Sequence, residues 1–144
     1  MKTVVCGIGN RLRGDDAFGP LVVDALESQN KEILLLDCGS APENFIGKVM
    51  QALPEQIILV DAFEMNQKPG VLREISDSEV NDTAYSTHNA PLSMFVKSLE
   101  NIGSKITILG FQPKTTAFGS EISPETKNAV ERAKTMIKKI IIQS

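Results

Sequence analysis

Short apolar runs alternate with amphipathic segments along the whole chain, and this pattern predicts an α/β fold. The runs at residues 2–8, 32–37, 56–60 and 105–111 are typical of strands that are buried on both faces of a parallel sheet. Residues 71–75 alternate apolar and polar positions, which predicts a half-buried strand at a sheet edge. The predicted sheet is therefore five-stranded and mostly parallel, with one antiparallel edge strand.

Four amphipathic segments predict helices that begin near residues 21, 40, 89 and 123. Ser40 and Glu43 have the spacing of a capping box, so they predict the start of the second helix. That helix is expected to bury an apolar stripe of Phe45, Ile46, Val49, Met50 and Leu53. The order β-α-β-α-β-β-α-β-α places helices on both faces of the sheet.

The length and charge of the chain limit the classes of protein to which it can belong. A chain of 144 residues is expected to form a single domain, residues 1–144. The net charge of −3 argues against a nucleic-acid partner, and no apolar run approaches the ~20 residues of a membrane span. The N-terminus does not resemble a signal peptide. Cys6 and Cys38 are expected to be buried free thiols in a reducing cytoplasm rather than a disulfide, so we expect a cytoplasmic protein.

The most informative stretch is residues 7–20, GIGNRLRGDDAFGP, between the first predicted strand and the first helix. Leu12 stands where a dinucleotide-binding motif needs its third glycine, and the Gly-Lys-Ser/Thr of a phosphate loop is absent. Asp15 and Asp16 would repel a phosphate, so the loop favours a cation; the plainer alternative is that one of them caps the helix. Pro20 must lie in the first turn of that helix, which leaves Asp16 on the loop or at its edge.

Two further groups complete a candidate metal site. Asp61 closes the third predicted strand, and His88, the only histidine of the chain, lies in a polar segment, residues 76–89, that predicts a long surface loop. The carboxyl ends of parallel strands share one edge of a sheet, so Asp16 and Asp61 can approach each other. Two carboxylates and an imidazole can bind a divalent metal and leave coordination positions open. Each residue also has a structural alternative, since Asp61 can cap a turn and His88 can be a solvated bystander.

The segments GIGNRLRGDDAFG (residues 7–19), VDA (60–62) and THN (87–89) resemble the hydrogenase maturation endopeptidases, and the resemblance covers nearly the whole chain. It implies a three-layer α/β/α sandwich. It also implies an endopeptidase that removes the C-terminal extension of the large-subunit precursor of a nickel-iron hydrogenase. By the family's pattern Asp16, Asp61 and His88 are the metal-binding and catalytic residues; relatives often carry glutamate at the position of Asp16.

The resemblance further implies that the metal is Ni²⁺ that the precursor already carries and that serves as the recognition signal, although another divalent metal can substitute. Nickel accepts imidazole and carboxylate ligands, so enzyme and precursor can share one ion. Two alternatives remain: a non-enzymatic nickel-dependent module that only checks the precursor, and a small phosphate or nucleotide hydrolase. We expect a monomer whose partner is the precursor, without nucleic-acid binding or membrane insertion.

Overall fold

The computed structural model describes residues 2–26, 30–80, 86–87 and 90–143, and at residues 77, 78, 86, 87, 90 and 91 it describes the backbone alone. Its strands are β1 (Thr3–Ile8), β2 (Ile33–Gly39), β3 (Gln56–Ala62), β4 (Leu72–Ile75), β5 (Ser86–Thr87), β6 (Ala90–Pro91) and β7 (Lys105–Phe111). Five of them form one sheet in the order β2-β1-β3-β7-β4, while β5 and β6 pair with each other in an antiparallel manner.

The sheet confirms the predicted topology. β1 pairs in parallel with both β2 and β3, and β3 pairs in parallel with β7. β4 lies at the edge and runs antiparallel to β7, as the alternating pattern of residues 71–75 predicts. The carboxyl ends of β1, β2, β3 and β7 therefore share one edge of the sheet, where open α/β proteins usually bind their ligands.

Helices cover both faces, which confirms the three-layer arrangement. The helices are α1 (Phe18–Leu26), α2 (Ile46–Ala52), α3 (Asp77–Val80), α4 (Leu92–Glu100) and α5 (Pro124–Gln143). α1 and α5 bury Phe18, Val22, Ala133 and Ile137 on one face, and α2 and α4 bury Val49, Phe95 and Leu99 on the other. Phe18 stacks on Phe111 of β7 with 4.1 Å between ring centroids, which fastens the start of α1 to the sheet.

The second helix differs from its prediction. It is preceded by a 3₁₀ turn, Pro42–Phe45, in which Ala41 is the N-cap residue and no side chain caps the turn. The capping box at Ser40 and Glu43 is therefore wrong. Met50 and Leu53 are exposed rather than buried. Leu53 leaves the helical stripe because the helix ends at Ala52 and the backbone of Leu53 turns into the left-handed conformation.

A capping box is instead present at the start of α3, between Ser76 and Glu79. The hydroxyl of Ser76 accepts a hydrogen bond from the Glu79 N–H, and the Glu79 carboxylate accepts one from the Ser76 N–H. Arg73 of β4 pairs with the same carboxylate, and Val80 is buried in the core. The prediction of a long surface loop over residues 76–89 is therefore wrong in part, since this segment contains α3 and β5. A four-residue helix is too short to show an apolar period in the sequence.

α5 is the longest described helix, with 20 residues. Ser123 precedes it and accepts a hydrogen bond from the Thr126 N–H, as the Ser123-Pro124 start predicts. Its buried positions include Ala133 and Ile137. Within the described part of the chain, no helix combines the length and the apolar character that crossing a bilayer requires.

Candidate metal and active site

Asp16 lies in a buried 3₁₀ turn, Gly14–Ala17, between β1 and α1. One oxygen of its carboxylate, Oδ2, accepts a hydrogen bond of 2.8 Å from the backbone N–H of Asn10. The side chain of Asn10 in turn accepts a hydrogen bond of 2.8 Å from the Leu12 N–H, which closes the loop on itself. The direction of the Asp16 carboxylate is therefore set by the backbone of the loop that carries it.

Two glycines let this turn approach the sheet. Gly9 has a φ of +153°, and a Cβ on it would lie 1.9 Å from the carbonyl oxygen of Asp16. A Cβ on Gly19 would lie 2.4 Å from the carbonyl oxygen of Ile8 and 2.6 Å from that of Val60. Only glycine at these positions allows the start of α1 to pack directly on the carboxyl ends of β1 and β3. Pro20 lies in the first turn of α1, as predicted.

Asp61 lies at the carboxyl end of β3 and is fully buried. Neither oxygen of its carboxylate has a hydrogen-bond partner among the residues that the structure describes. Burial raises the pKa of Asp61 well above its ordinary value, and the neighbouring charge of Asp16 raises it further, against a smaller opposing effect of the Ala62 backbone. The structure thus brings Asp16 and Asp61 together, as the shared sheet edge predicts.

A buried carboxylate without donors is an expensive feature for a protein to keep. Removing an ionised carboxylate from water costs several kcal/mol, and the protein recovers this only by pairing the charge or by protonating the group. A divalent cation between Asp16 and Asp61 would pair both charges at once. The donor set, two carboxylates at a strand edge, therefore fits a cation better than an anion or an apolar ligand.

Asp15, the neighbour of Asp16, has a different role. It is buried, and its carboxylate accepts hydrogen bonds from the N–H and hydroxyl of Ser123 and from the Lys114 N–H. Burial alone would raise the pKa of Asp15, but these hydrogen bonds outweigh it and lower the pKa below the ordinary value. The turn Gly14–Ala17 has no side-chain cap, so Asp15 ties this turn to the start of α5 instead of capping a helix.

His88, the third predicted site residue, lies outside the described residues. Among the residues that are described, no group of three or more histidine, cysteine, aspartate or glutamate side chains is arranged to hold a metal ion. The structure thus contributes two carboxylates to the candidate site, and the part of His88 stays a prediction.

Comparison with known proteins decides the family. A family model described as "Hydrogenase maturation protease" matches residues 20–140, which is most of the chain. The chain belongs to the hydrogenase maturation protease family. The matched region includes Asp61 and His88, while Asp16 lies just before it.

Solved and curated proteins are similar to the chain over nearly its full length. A [NiFe] hydrogenase maturation protease from Thermococcus kodakarensis superposes with a TM-score of 0.86 at 35% identity, covering 96% of this chain and 91% of its own. The hydrogenase 3 maturation protease of Escherichia coli is 32% identical over 91% of this chain and 85% of its own. The delta subunit of the coenzyme F420 hydrogenase of Methanothermobacter thermautotrophicus is 31% identical over 94% and 92%.

The sequence of this family member did not reveal that Gln112 supports the site. Gln112, directly after β7, accepts hydrogen bonds from the N–H groups of Met65 and Gln67 and donates one to Glu64. It thereby holds the segment that follows Asp61. Its partners are more than 40 positions away along the chain, so neither local pattern nor motif could identify it.

Cys6 and Cys38 are both free and buried, as predicted. A hydrogen bond with the Cys38 side chain raises the pKa of Cys6, and burial raises it further. A thiol that keeps its proton and has no access to solvent is a poor nucleophile. The cysteines therefore do not offer this protease an alternative catalytic centre.

Proposed function

We propose that this protein removes the C-terminal extension of a [NiFe] hydrogenase large-subunit precursor, and that Asp16, Asp61 and His88 bind the nickel that the precursor carries. Membership of the hydrogenase maturation protease family supports the reaction class. The roles of the three residues rest on the site itself. Nickel is a part of the substrate in this account, and another divalent metal can substitute for it at the same ligands.

The observation that carries the proposal is the buried carboxylate of Asp61, which has no donor among the described residues. A purely structural aspartate at this depth would have partners, as Asp15 has. Asp61 has instead the charge of Asp16 beside it. Two neighbouring carboxylates repel each other unless a proton or a cation lies between them, so the pair is suited to accept a cation.

The residues then have distinct tasks. The raised pKa of Asp61 favours its protonated form in the free protein, and a cation that reaches the site displaces this proton. Asp16 keeps a fixed direction through the Asn10 N–H. His88 supplies an imidazole nitrogen. Bound nickel can polarise a scissile carbonyl or lower the pKa of a water molecule, and a carboxylate of the pair can act as the general base.

The names of the relatives support a partner class, and the free cysteines support a compartment. The full-length similarity to the Escherichia coli protease for hydrogenase 3 and to the methanogen F420-hydrogenase delta subunit supports a hydrogenase of one of these types as the source of the precursor. We place the reaction in the cytoplasm, where Cys6 and Cys38 remain as thiols. For the protease itself we propose a monomer.

The test is to incubate the purified protein with nickel-loaded and with nickel-free precursor and to follow the precursor by intact mass. We expect the loaded precursor to lose its C-terminal extension and the nickel-free precursor to remain whole. The alternative of a checking module predicts that the loaded precursor binds but keeps its mass, and this result would overturn the proposal. Cleavage that is equally fast without nickel would overturn the role of the metal.

A further inference from the structure

Arg11, on the loop between β1 and α1, connects three parts of the fold through its guanidinium group. Its Nη1 and Nη2 donate to the two oxygens of Asp24 on α1 at 2.7 and 2.9 Å. The same Nη2 donates to Oδ2 of Asp37 at the end of β2 at 2.8 Å, and Nε donates to that oxygen at 3.3 Å. Arg11 thus binds one helix and one strand to the loop, with a bidentate contact that a lysine cannot make.

The anchors of the loop lie on either side of Asn10. On one side, the Gly9 N–H donates to the carbonyl oxygen of Gly39 at 2.8 Å. On the other side, Arg11 binds Asp37, whose Oδ1 also accepts a hydrogen bond from the Gly39 N–H. Both neighbours of Asn10 are therefore tied to the same end of β2. The N–H of Asn10, which lies between them, donates to the carboxylate of Asp16.

The stability of these ion pairs does not explain the arrangement. The side chains of Arg11, Asp24 and Asp37 are 43%, 53% and 38% exposed. Exposed ion pairs contribute about 0–1 kcal/mol each, because solvent screens them and ordering long side chains costs entropy. The ion pairs instead fix the position of Arg11, because carboxylates on a helix and on a strand hold its planar guanidinium group from two directions.

We propose that Arg11 is a positioning residue for Asp16, which it holds in place through the backbone N–H of Asn10 by clamping the loop to Asp24 and Asp37. Its relevance to catalysis rests on the proposed function, in which Asp16 binds the metal of the precursor. The clamp itself is a property of the free protein. It can therefore be measured without precursor or nickel.

The first measurement is amide hydrogen exchange in the ¹⁵N-labelled free protein. In Arg11→Gln the Asn10 amide exchanges at least about 10-fold faster, while amides of the central strand, such as that of Leu59, keep their protection. Arg11→Lys restores the protection only in part because it lacks the bidentate contact. The matched control is Arg13→Gln on the same loop. The Arg13 side chain donates to the carbonyl oxygen of Thr116, and the backbone hydrogen bonds of Arg13 with Asn10 and Asp16 do not depend on its side chain. This variant leaves the exchange of the Asn10 amide unchanged. Should Arg11→Gln fail to fold, Asp24→Asn and Asp37→Asn each remove one side of the clamp and replace it in the test.

The second measurement is the affinity of the free protein for Ni²⁺, by calorimetric titration, together with processing of the loaded precursor. Loss of outer contacts of a metal ligand lowers affinity or activity about 10–100-fold. We therefore expect Arg11→Gln to weaken Ni²⁺ binding and to lower kcat by such a factor, with KM for the precursor unchanged. A raised KM with normal Asn10 exchange would mean that Arg11 contacts the precursor directly. A lower melting temperature with normal Asn10 exchange would mean a structural role alone. Either result overturns the proposal. Absence of processing by the unaltered protein would instead overturn the proposed function and leave the exchange result standing.

Discussion

Asp61 is fully buried beside Asp16, and its burial first and the charge of Asp16 second raise the pKa of its carboxyl group. Asp15, one residue before Asp16, is also buried, yet hydrogen bonds from Ser123, Thr126 and Lys114 lower the pKa of its carboxyl group. The same side chain therefore has opposite electrostatic consequences at two positions near one turn. The hydrogen-bond donors around Asp15 account for this difference, and the proposed function assigns the carboxyl group of Asp61 to a ligand instead.

Asp61→Asn is expected to stabilise the free protein at neutral pH and to abolish processing. A carboxyl group with a raised pKa in the folded state favours folding least when it is ionised. Wild-type stability therefore falls as pH rises from the ordinary value of 3.8 towards the raised pKa, by about 1.4 kcal/mol for each unit of the shift. Urea unfolding of both proteins at several pH values measures this. A variant that is less stable than wild type above pH 7 would contradict the assignment of Asp61 as an unpaired carboxylate.

Asp15→Asn is expected to destabilise the free protein, which is the opposite of the effect expected for Asp61→Asn. The lowered pKa means that ionised Asp15 stabilises the fold above pH 3.8, and that this stability is lost as pH falls through the lowered value. The amide cannot accept all the hydrogen bonds that the carboxylate accepts from Ser123 and Lys114, so we expect a loss of about 2–4 kcal/mol at pH 7. Because Asp15 does not face the metal site in this account, the folded fraction of the variant should still process precursor at low temperature. A variant that is as stable as wild type but does not process precursor would contradict the assignment of Asp15 to the stability of the fold.

Asp16→Ala and His88→Ala are expected to abolish processing while the melting temperature changes by little. Asp16→Glu keeps the charge and adds one methylene, so it should retain part of the activity, whereas Asp16→Asn should not. The assay is precursor mass against time, with circular dichroism as the control for folding. Normal processing by His88→Ala would remove His88 from the site.

Gly19→Ala tests the close approach of α1 to the sheet. A methyl group at this position would overlap the backbone of Ile8 and Val60, so we expect a loss of about 1–3 kcal/mol or more in the free energy of unfolding. Gly47→Ala in α2 is the matched control, since nothing lies within 4 Å of its Cβ position, and it should stabilise the helix by up to about 1 kcal/mol. Equal stabilities in urea unfolding would contradict the packing described here.

The alternation of apolar runs and amphipathic segments was sufficient to predict the sheet and the helical layers, because strands buried on both faces leave a continuous apolar signal. The details that failed are local. The spacing of Ser40 and Glu43 is identical to that of Ser76 and Glu79, yet only the second pair forms a capping box, and Arg73 of the neighbouring strand pairs with its glutamate. A tertiary contact of this kind has no counterpart in a local pattern.

The candidate site could also be predicted from the sequence only in part. Strand ends and motif spacing place Asp16 and Asp61 at one edge, and the structure brings them together. The same reasoning could not separate Asp15 from Asp16, since the partner that distinguishes them, Ser123, lies 108 positions away. Arg11 also escaped detection, because its two partners lie on elements that only the fold brings beside the loop.

The central claim is that Asp16, Asp61 and His88 bind nickel that the precursor brings. X-ray absorption at the nickel edge tests it most directly, on the complex of protease and loaded precursor frozen before cleavage is complete. The account predicts that nickel gains an imidazole nitrogen and carboxylate oxygens relative to the precursor alone, and that His88→Ala removes the imidazole contribution. A nickel spectrum that is identical in the precursor and in the complex would contradict it.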